Sequence, residues 1–197
     1  MRSEASVAAV LLAAGRGTRF GPEPKLLALL DGKPLVRHAA EAALASGVRP
    51  VLVVLGAHAG RVRAALSGLG VTLVENPDYA AGLSTSLRAG LAALPPETVG
   101  AVVMLADMPR VTAAQIDRLA AAFRAGEPLP AAVVPVVDGR RGNPALLNRR
   151  ALDADLARLT GDHGAGPLLT GRADVIEIAG EPATGLDVDT PEALAHL

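Results

Sequence analysis

Small residues and cations share one short loop in this chain. In Leu12-Ala13-Ala14-Gly15-Arg16-Gly17-Thr18-Arg19-Phe20, continued by Gly21-Pro22-Glu23-Pro24-Lys25, the side chains at Ala13, Ala14, Gly15 and Gly17 are small enough for backbone amides to approach an anion. Arg19 and Lys25 bring two permanent positive charges to the same place. Close-set amides and paired cations suit a polyanion, and a triphosphate is the natural fit. Asp107 is the next residue of interest, because it follows the apolar run Val99–Leu105 and precedes Met108-Pro109, which puts a carboxylate at the end of a buried strand. Two more carboxylates, Asp187 and Asp189, stand near the chain end just before Thr190-Pro191. Oxygen ligands from two such segments suit one magnesium ion, with water and phosphate oxygens completing its octahedron. Ser84-Thr85-Ser86 follows Gly82 at a helix start, where hydroxyls and amides can meet a base edge or a phosphate.

Two well-known phosphate motifs fail on this loop. A dinucleotide fingerprint needs glycine where Phe20 stands and an acid closing the second strand, which instead runs into Leu55-Gly56-Ala57-His58. A P-loop needs Gly-Lys-Ser/Thr, whereas Lys25 lies between Pro24 and Leu26. The same residues also admit ordinary structural roles: Asp107 as a turn residue, Asp189 as a helix cap, and Ser84 to Ser86 as capping hydroxyls.

The elements that must position these groups are legible as alternating short and long segments. Valine-rich runs at Val7–Leu12, Val51–Leu55, Val71–Val74, Val99–Leu105 and Ala131–Val137 are too short for helices and are bounded by glycine or proline, so they read as buried strands. Helical spacing occupies Leu35–Ser46, Gly60–Leu66, Ser84–Leu94 and Thr112–Arg124, the last opening with a Thr-x-x-Gln capping box. The β-α-β-α-β-α-β-α-β order predicts an α/β fold, a three-layer α/β/α sandwich on a mostly parallel sheet. Beyond Val137 the rhythm changes. A charged turn at Asp138 to Gly142 is followed by an apolar stretch near Ala145–Leu147, two short helices, a strand at Val175–Ile178 and a terminal helix opening at Pro191. These extend the same sheet, so residues 1–197 read as one domain. In such sheets ligands bind beyond the carboxyl ends of the strands, where the loop after the first run lies.

Composition narrows the partners. With 19 Lys+Arg against 20 Asp+Glu, no overall field draws nucleic acid or an anionic membrane surface. The absence of cysteine excludes disulfides, thiolate metal sites and a cysteine nucleophile, and fits a cytoplasmic setting. The apolar run from Val7 to Ala14 is too short to span a bilayer, and the arginine-bearing glycine loop after it is unlike a signal-peptide cleavage region. Only 2% of residues are aromatic, so the core must be built from alanine, leucine and valine.

Leu12-Ala13-Ala14-Gly15-x-Gly17-x-Arg19 followed by Pro24-Lys25 resembles the signature of nucleotidyltransferases that activate sugars, lipid precursors and molybdenum cofactor. More narrowly the chain resembles the MobA-like group, and within it the molybdenum cofactor cytidylyltransferases. Asn76-Pro77-Asp78-Tyr79, Gly82 to Leu87, Ala106-Asp107-Met108-Pro109, Gly142-Asn143-Pro144 and Asp187 to Glu192 follow in that family's order. The resemblance implies a Rossmann-like, GT-A-like nucleotidyltransferase fold and a Mg2+-dependent transfer of CMP from CTP to a phosphorylated small-molecule acceptor, of molybdopterin type. It implies that Arg19 and Lys25 bind the nucleotide phosphates, that Asp107 lies at the nucleotide and with Asp189 holds the metal, and that Leu12, Ala13, Ala14, Gly15, Gly17 and Ser86 contact the nucleotide. Asp187 and Asn143 are weaker candidates on the substrate side. The pair Ala13-Ala14 stands where the guanylyl relatives carry glycine, which favours CTP over GTP. Two departures bear on the acceptor: Asn143 replaces the family's usual histidine, and Gly166 replaces an arginine in Asp162-His163-Gly164-Ala165-Gly166. The alternative reading is a MobA-like oxidoreductase, or a maturation partner of a molybdoenzyme that transfers no nucleotide.

Overall fold

The computed structural model describes residues 5–21, 23–181, 188 and 190–196, Arg19 by its main chain alone. The predicted sites Asp187 and Asp189 therefore lie outside the described residues. An eight-stranded sheet forms the middle layer. Its strands are β1 (Val7–Ala13), β4 (Val51–Leu55), β5 (Thr72–Glu75), β6 (Gly100–Leu105), β7 (Ala132–Val137), β8 (Arg140–Arg141), β9 (Ala145–Asn148) and β10 (Val175–Ala179). A separate hairpin joins β2 (Leu29–Leu30) to β3 (Lys33–Pro34). The helices are α1 (Leu35–Ala45), α2 (Ala59–Ala65), α3 (Leu83–Ala92), α4 (Ala113–Ala125), α5 (Arg149–Arg158), α6 (Gly166–Leu169) and α7 (Pro191–Ala195).

The strand order is β10-β7-β9-β6-β1-β4-β5, with β8 hydrogen-bonded to β7. Strand β1 runs parallel to β4 and β6, with Leu12 opposite Val54 and Leu105. Each residue of β1 is buried, as expected of a strand covered on both faces. Because side chains alternate along a strand, Ala9, Leu11 and Ala13 enter a core with Val36, Val62, Ile116 and Phe123, under α1, α2 and α4. Ala8, Val10, Leu12 and Ala14 enter the opposite core with Leu87, Leu152 and Leu169, under α3, α5 and α6. The predicted three layers are thus present. The irregular region supplies β9, which inserts antiparallel between β6 and β7. At α4 both halves of the capping box are made between Thr112 and Gln115. Thr190 caps α7 by accepting from the Ala193 amide.

Candidate functional site

The carboxyl ends of β1 and β6 open into a cleft of about 570 Å³. Leu12, Ala14, Gly15, Gly17, Lys25, Ser86 and Asp107, all singled out from the sequence, line it. Ala13 does not line it, its methyl being buried in the core on the opposite face of the sheet, and the Arg19 side chain lies outside the described residues. The base-preference argument thus rests on the Ala14 methyl alone.

The loop and Lys25 are fitted to each other. Gly17 has φ of +60°, a left-handed conformation that costs any L side chain energy, and a Cβ there would stand 2.8 Å from the Cβ of Lys25. Pro24 precedes a single 3-10 turn, Lys25–Leu27, which carries the lysine under the glycine. The Lys25 side chain is 10% exposed, and its Nζ lies 2.5 Å from Oδ2 of Asp107, itself 18% exposed. Cation and carboxylate from distant parts of the sequence meet at the mouth of the sheet.

Asp107 retains acceptor capacity. Its Oδ1 is buried with no hydrogen-bond partner among the described residues, which is costly for a carboxylate oxygen unless a cation or water meets it. Its main-chain carbonyl accepts from the amide of Val188 at 3.0 Å. Val188 is itself buried with Phe20, Leu30 and Leu35, which places it beside Asp107 and the end of the glycine loop. A partly paired carboxylate of this kind suits a hard divalent ion. Among the described residues no group of three or more histidines and carboxylates is placed to hold one.

The far wall comes from α3. Gly82 has φ of +113°, and a Cβ there would fall 2.3 Å from the Gly161 main-chain carbon, so this close crossing also requires glycine. Asn76 is buried and donates through Nδ2 to Thr85 Oγ1 at 2.9 Å and Ser86 Oγ at 3.0 Å. Thr85 Oγ1 also lies within donating distance of the carbonyls of Asp78 and Gly82. Ser86, its hydroxyl oxygen held by Asn76, lines the cleft. Ser84 is sealed in the core and does not line the cleft.

Arg16, Thr18, Tyr79 and Asp162, none of them assigned a site role from the sequence, also line the cleft. Arg16 holds its guanidinium 5.7 Å from the centre of the Tyr79 ring, bridging the cleft mouth. A lone tyrosine in a loop reads more readily as packing or surface than as a ligand contact, which is why the sequence alone did not single out Tyr79. Asn143 and Gly166 are not in this cleft. They line a second cavity of about 360 Å³ on the α3 and α5 side of the sheet.

Two carboxylates on the outer faces have their acidity set by neighbouring cations. Glu41 is held below the ordinary glutamate range by its hydrogen bond from Lys33 and by the charges of Lys33 and Arg37. The guanidinium of Arg172 does the same for Asp174. No helix among the described residues is long and apolar enough to cross a membrane.

A sequence profile for the MobA-like NTP transferase domain matches residues 9–175. Nicotine blue oxidoreductase of Paenarthrobacter nicotinovorans is 35% identical over 97% of this chain and 96% of its own length. The 2-C-methyl-D-erythritol 4-phosphate cytidylyltransferase of Streptomyces coelicolor is 39% identical over 70% of this chain, which spans about half, 53%, of that protein. Among solved structures, Rv0371C of Mycobacterium tuberculosis H37Rv in complex with manganese superposes with a TM-score of 0.82 at 32% identity, covering 98% of this chain and 97% of that one.

Proposed function

The chain belongs to the MobA-like NTP transferase family, and on that premise we propose that it transfers a nucleotidyl group, preferentially CMP from CTP, to a phosphorylated small molecule with release of pyrophosphate. The observation that carries this reading is the Lys25–Asp107 contact at 2.5 Å beneath a glycine loop, beside an Asp107 oxygen with no partner among the described residues. A lysine and a half-satisfied carboxylate next to open backbone amides match a triphosphate with its metal, as neither a dinucleotide site nor a P-loop does here.

In this reading Lys25 and Arg19 neutralise the triphosphate, and the amides around Gly15 and Gly17 cradle it. Ser86 donates to the nucleotide, and the Ala14 methyl limits the space beside the base. Asp107 with Asp189 would hold Mg2+, Asp187 being a weaker contributor, and the ion when bound supplies neutralisation of charge on the phosphates. An oxygen of the acceptor's phosphate attacks the α-phosphorus, the bond to the bridging oxygen breaks, and pyrophosphate leaves. The attacking oxygen is already anionic, so no general base is required, and catalysis comes from alignment and fixed positive charge. Resemblance to the molybdenum cofactor cytidylyltransferases supports an acceptor of the molybdopterin type. A screen of pyrophosphate release with the four nucleoside triphosphates, Mg2+ and candidate acceptors tests the proposal. Release with CTP ahead of GTP is expected, and no release with any triphosphate would refute it.

A second reading has one specific support, the match to nicotine blue oxidoreductase along nearly the whole of both chains. Against it, β4 runs into Gly56, so the acid that reads a dinucleotide ribose is missing from that position. Thermal stabilisation by CTP with Mg2+ and none by NADPH is expected; the reverse would favour a redox enzyme. A maturation partner of a molybdoenzyme would release no pyrophosphate at all.

A further inference from the structure

The contact of Arg16 with Tyr79 joins a pliable support to a rigid one. Tyr79 opens a single 3-10 turn, Tyr79–Ala81, between β5 and α3. Buried Asn76 fixes that turn from both sides. Its main-chain amide donates to the Leu55 carbonyl at 2.8 Å, its Oδ1 accepts from the Asp78 amide at 3.0 Å, and its Nδ2 holds Thr85 and Ser86. The root of the tyrosine ring is seated just past the end of β4. A Cβ at Gly56 would fall 2.6 Å from Tyr79 Cβ and 2.7 Å from both Tyr79 Cγ and Ala14 Cβ, so only glycine lets these groups meet. Tyr79, Ala14 and the strand end form one packed unit.

Arg16 stands on the opposite kind of support. It is exposed and lies between Gly15 and Gly17, neither of which carries a side chain to hinder the main chain, and a Cβ at Gly15 would meet nothing within 4 Å. Its side chain lines the cleft, with the guanidinium over the Tyr79 ring at 5.7 Å from the centre. A cation over a partly exposed ring is weakly held. Two parallel N–H donations from a guanidinium to phosphate oxygens are charge-assisted and considerably stronger. The ring therefore keeps the cation inside the cleft mouth without fastening it there.

We propose that Arg16 is a further triphosphate-binding cation beside Arg19 and Lys25, and that the polyphosphate draws its guanidinium off the Tyr79 ring. The inference rests on the transferase reading for the identity of the polyanion and deepens it at the same site. Tyr79 is a positioning residue in this exchange, acting on the phosphates only through Arg16. Because the contact over the ring is given up on binding, it opposes binding by its own worth. Removing the ring alone should accordingly tighten polyphosphate. A ring that merely packs against the loop would have the opposite sign, since its loss would loosen the site.

Tyr79 is the only tyrosine in a chain without tryptophan, so tyrosine emission reports this one ring. Inorganic tripolyphosphate with Mg2+, which has no base to stack on the ring, is titrated into the full chain and followed by emission and by calorimetry. Arg16→Ala, Arg16→Lys and Tyr79→Leu are measured alongside, each checked for a cooperative thermal transition. Emission of the unsubstituted protein is expected to change in step with saturation, and that response to be lost in Arg16→Ala. Affinity should fall at least about fivefold in Arg16→Ala, recover in part in Arg16→Lys, and rise about two- to fivefold in Tyr79→Leu, the worth of one exposed cation–π contact. If Tyr79→Leu does not fold, the emission response and the two Arg16 variants decide alone. Tripolyphosphate affinity unmoved in Arg16→Ala, emission indifferent to saturation, or affinity not raised in a folded Tyr79→Leu would overturn the inference while CTP binding still supports the transferase reading. Failure of CTP with Mg2+ to bind the unsubstituted protein would instead overturn the transferase reading itself.

Discussion

Replacing Gly17 by alanine probes the fit between loop and lysine at a single atom. The new methyl meets two penalties. A left-handed φ of +60° costs an alanine about 1–2 kcal/mol, and the methyl would stand 2.8 Å from Lys25 Cβ, where ordinary contact begins near 3.4 Å. Lys25 must therefore retreat by about 0.6 Å or more, which stretches its 2.5 Å contact with Asp107. In a chain of this size 1 kcal/mol corresponds to roughly 2–4 °C, so melting should fall by about 2–8 °C. Misplacement of a phosphate-binding cation on the scale of 1 Å costs turnover about 100-fold. Differential scanning calorimetry with pyrophosphate-release kinetics reads both effects. Gly15→Ala is the stability control, because nothing lies within 4 Å of a Cβ at that position, and its melting temperature should stay near the unsubstituted value. Equal melting temperatures and equal turnover for Gly17→Ala and the unsubstituted protein would refute the proposed fit.

Asn76→Ala removes a buried side chain that donates to Thr85 and Ser86 and should destabilise the fold by about 1–3 kcal/mol in urea unfolding while weakening CTP binding. Arg16→Ala, which loses the contact over Tyr79, should cost about 0.5–1 kcal/mol or less in stability and should raise the KM for CTP more than it changes the melting point. Glu41 gives a pH signature. Its acidity is increased in the fold, so its contribution is present above the ordinary glutamate value of about 4.3 and is lost as pH falls through the lower folded value. The melting-temperature gap between the unsubstituted protein and Glu41→Gln should accordingly be visible at pH 6 and shrink as the pH falls below 4.

The parts legible in the sequence were those fixed by local pattern. Strands β1, β4 and β6 are continuous apolar runs because both faces are covered, and no other reading accommodates them. The hairpin of β2 and β3 was missed because each strand has two residues, although Asp31-Gly32 between them, with Asp31 at φ of +51°, is a turn signal. The place of β9 was illegible, since nothing in Ala145–Asn148 says which strands it will separate. In the cleft, the glycines and Lys25 announced themselves by type and spacing, whereas the contact of Lys25 with Asp107 depends on the sheet bringing β1 and β6 together. The placement of Ala14 and Ala13 on opposite faces of the sheet follows from strand alternation, which weakens any argument that counts both methyls.

The most direct test of the account is single-turnover CMP transfer by Lys25→Ala and Asp107→Asn, each verified as folded by its thermal transition. Fixed charge at the mouth of the sheet predicts a loss of at least 100-fold in both, roughly 2.7 kcal/mol of transition-state stabilisation. Transfer at the unsubstituted rate in either folded variant would contradict it.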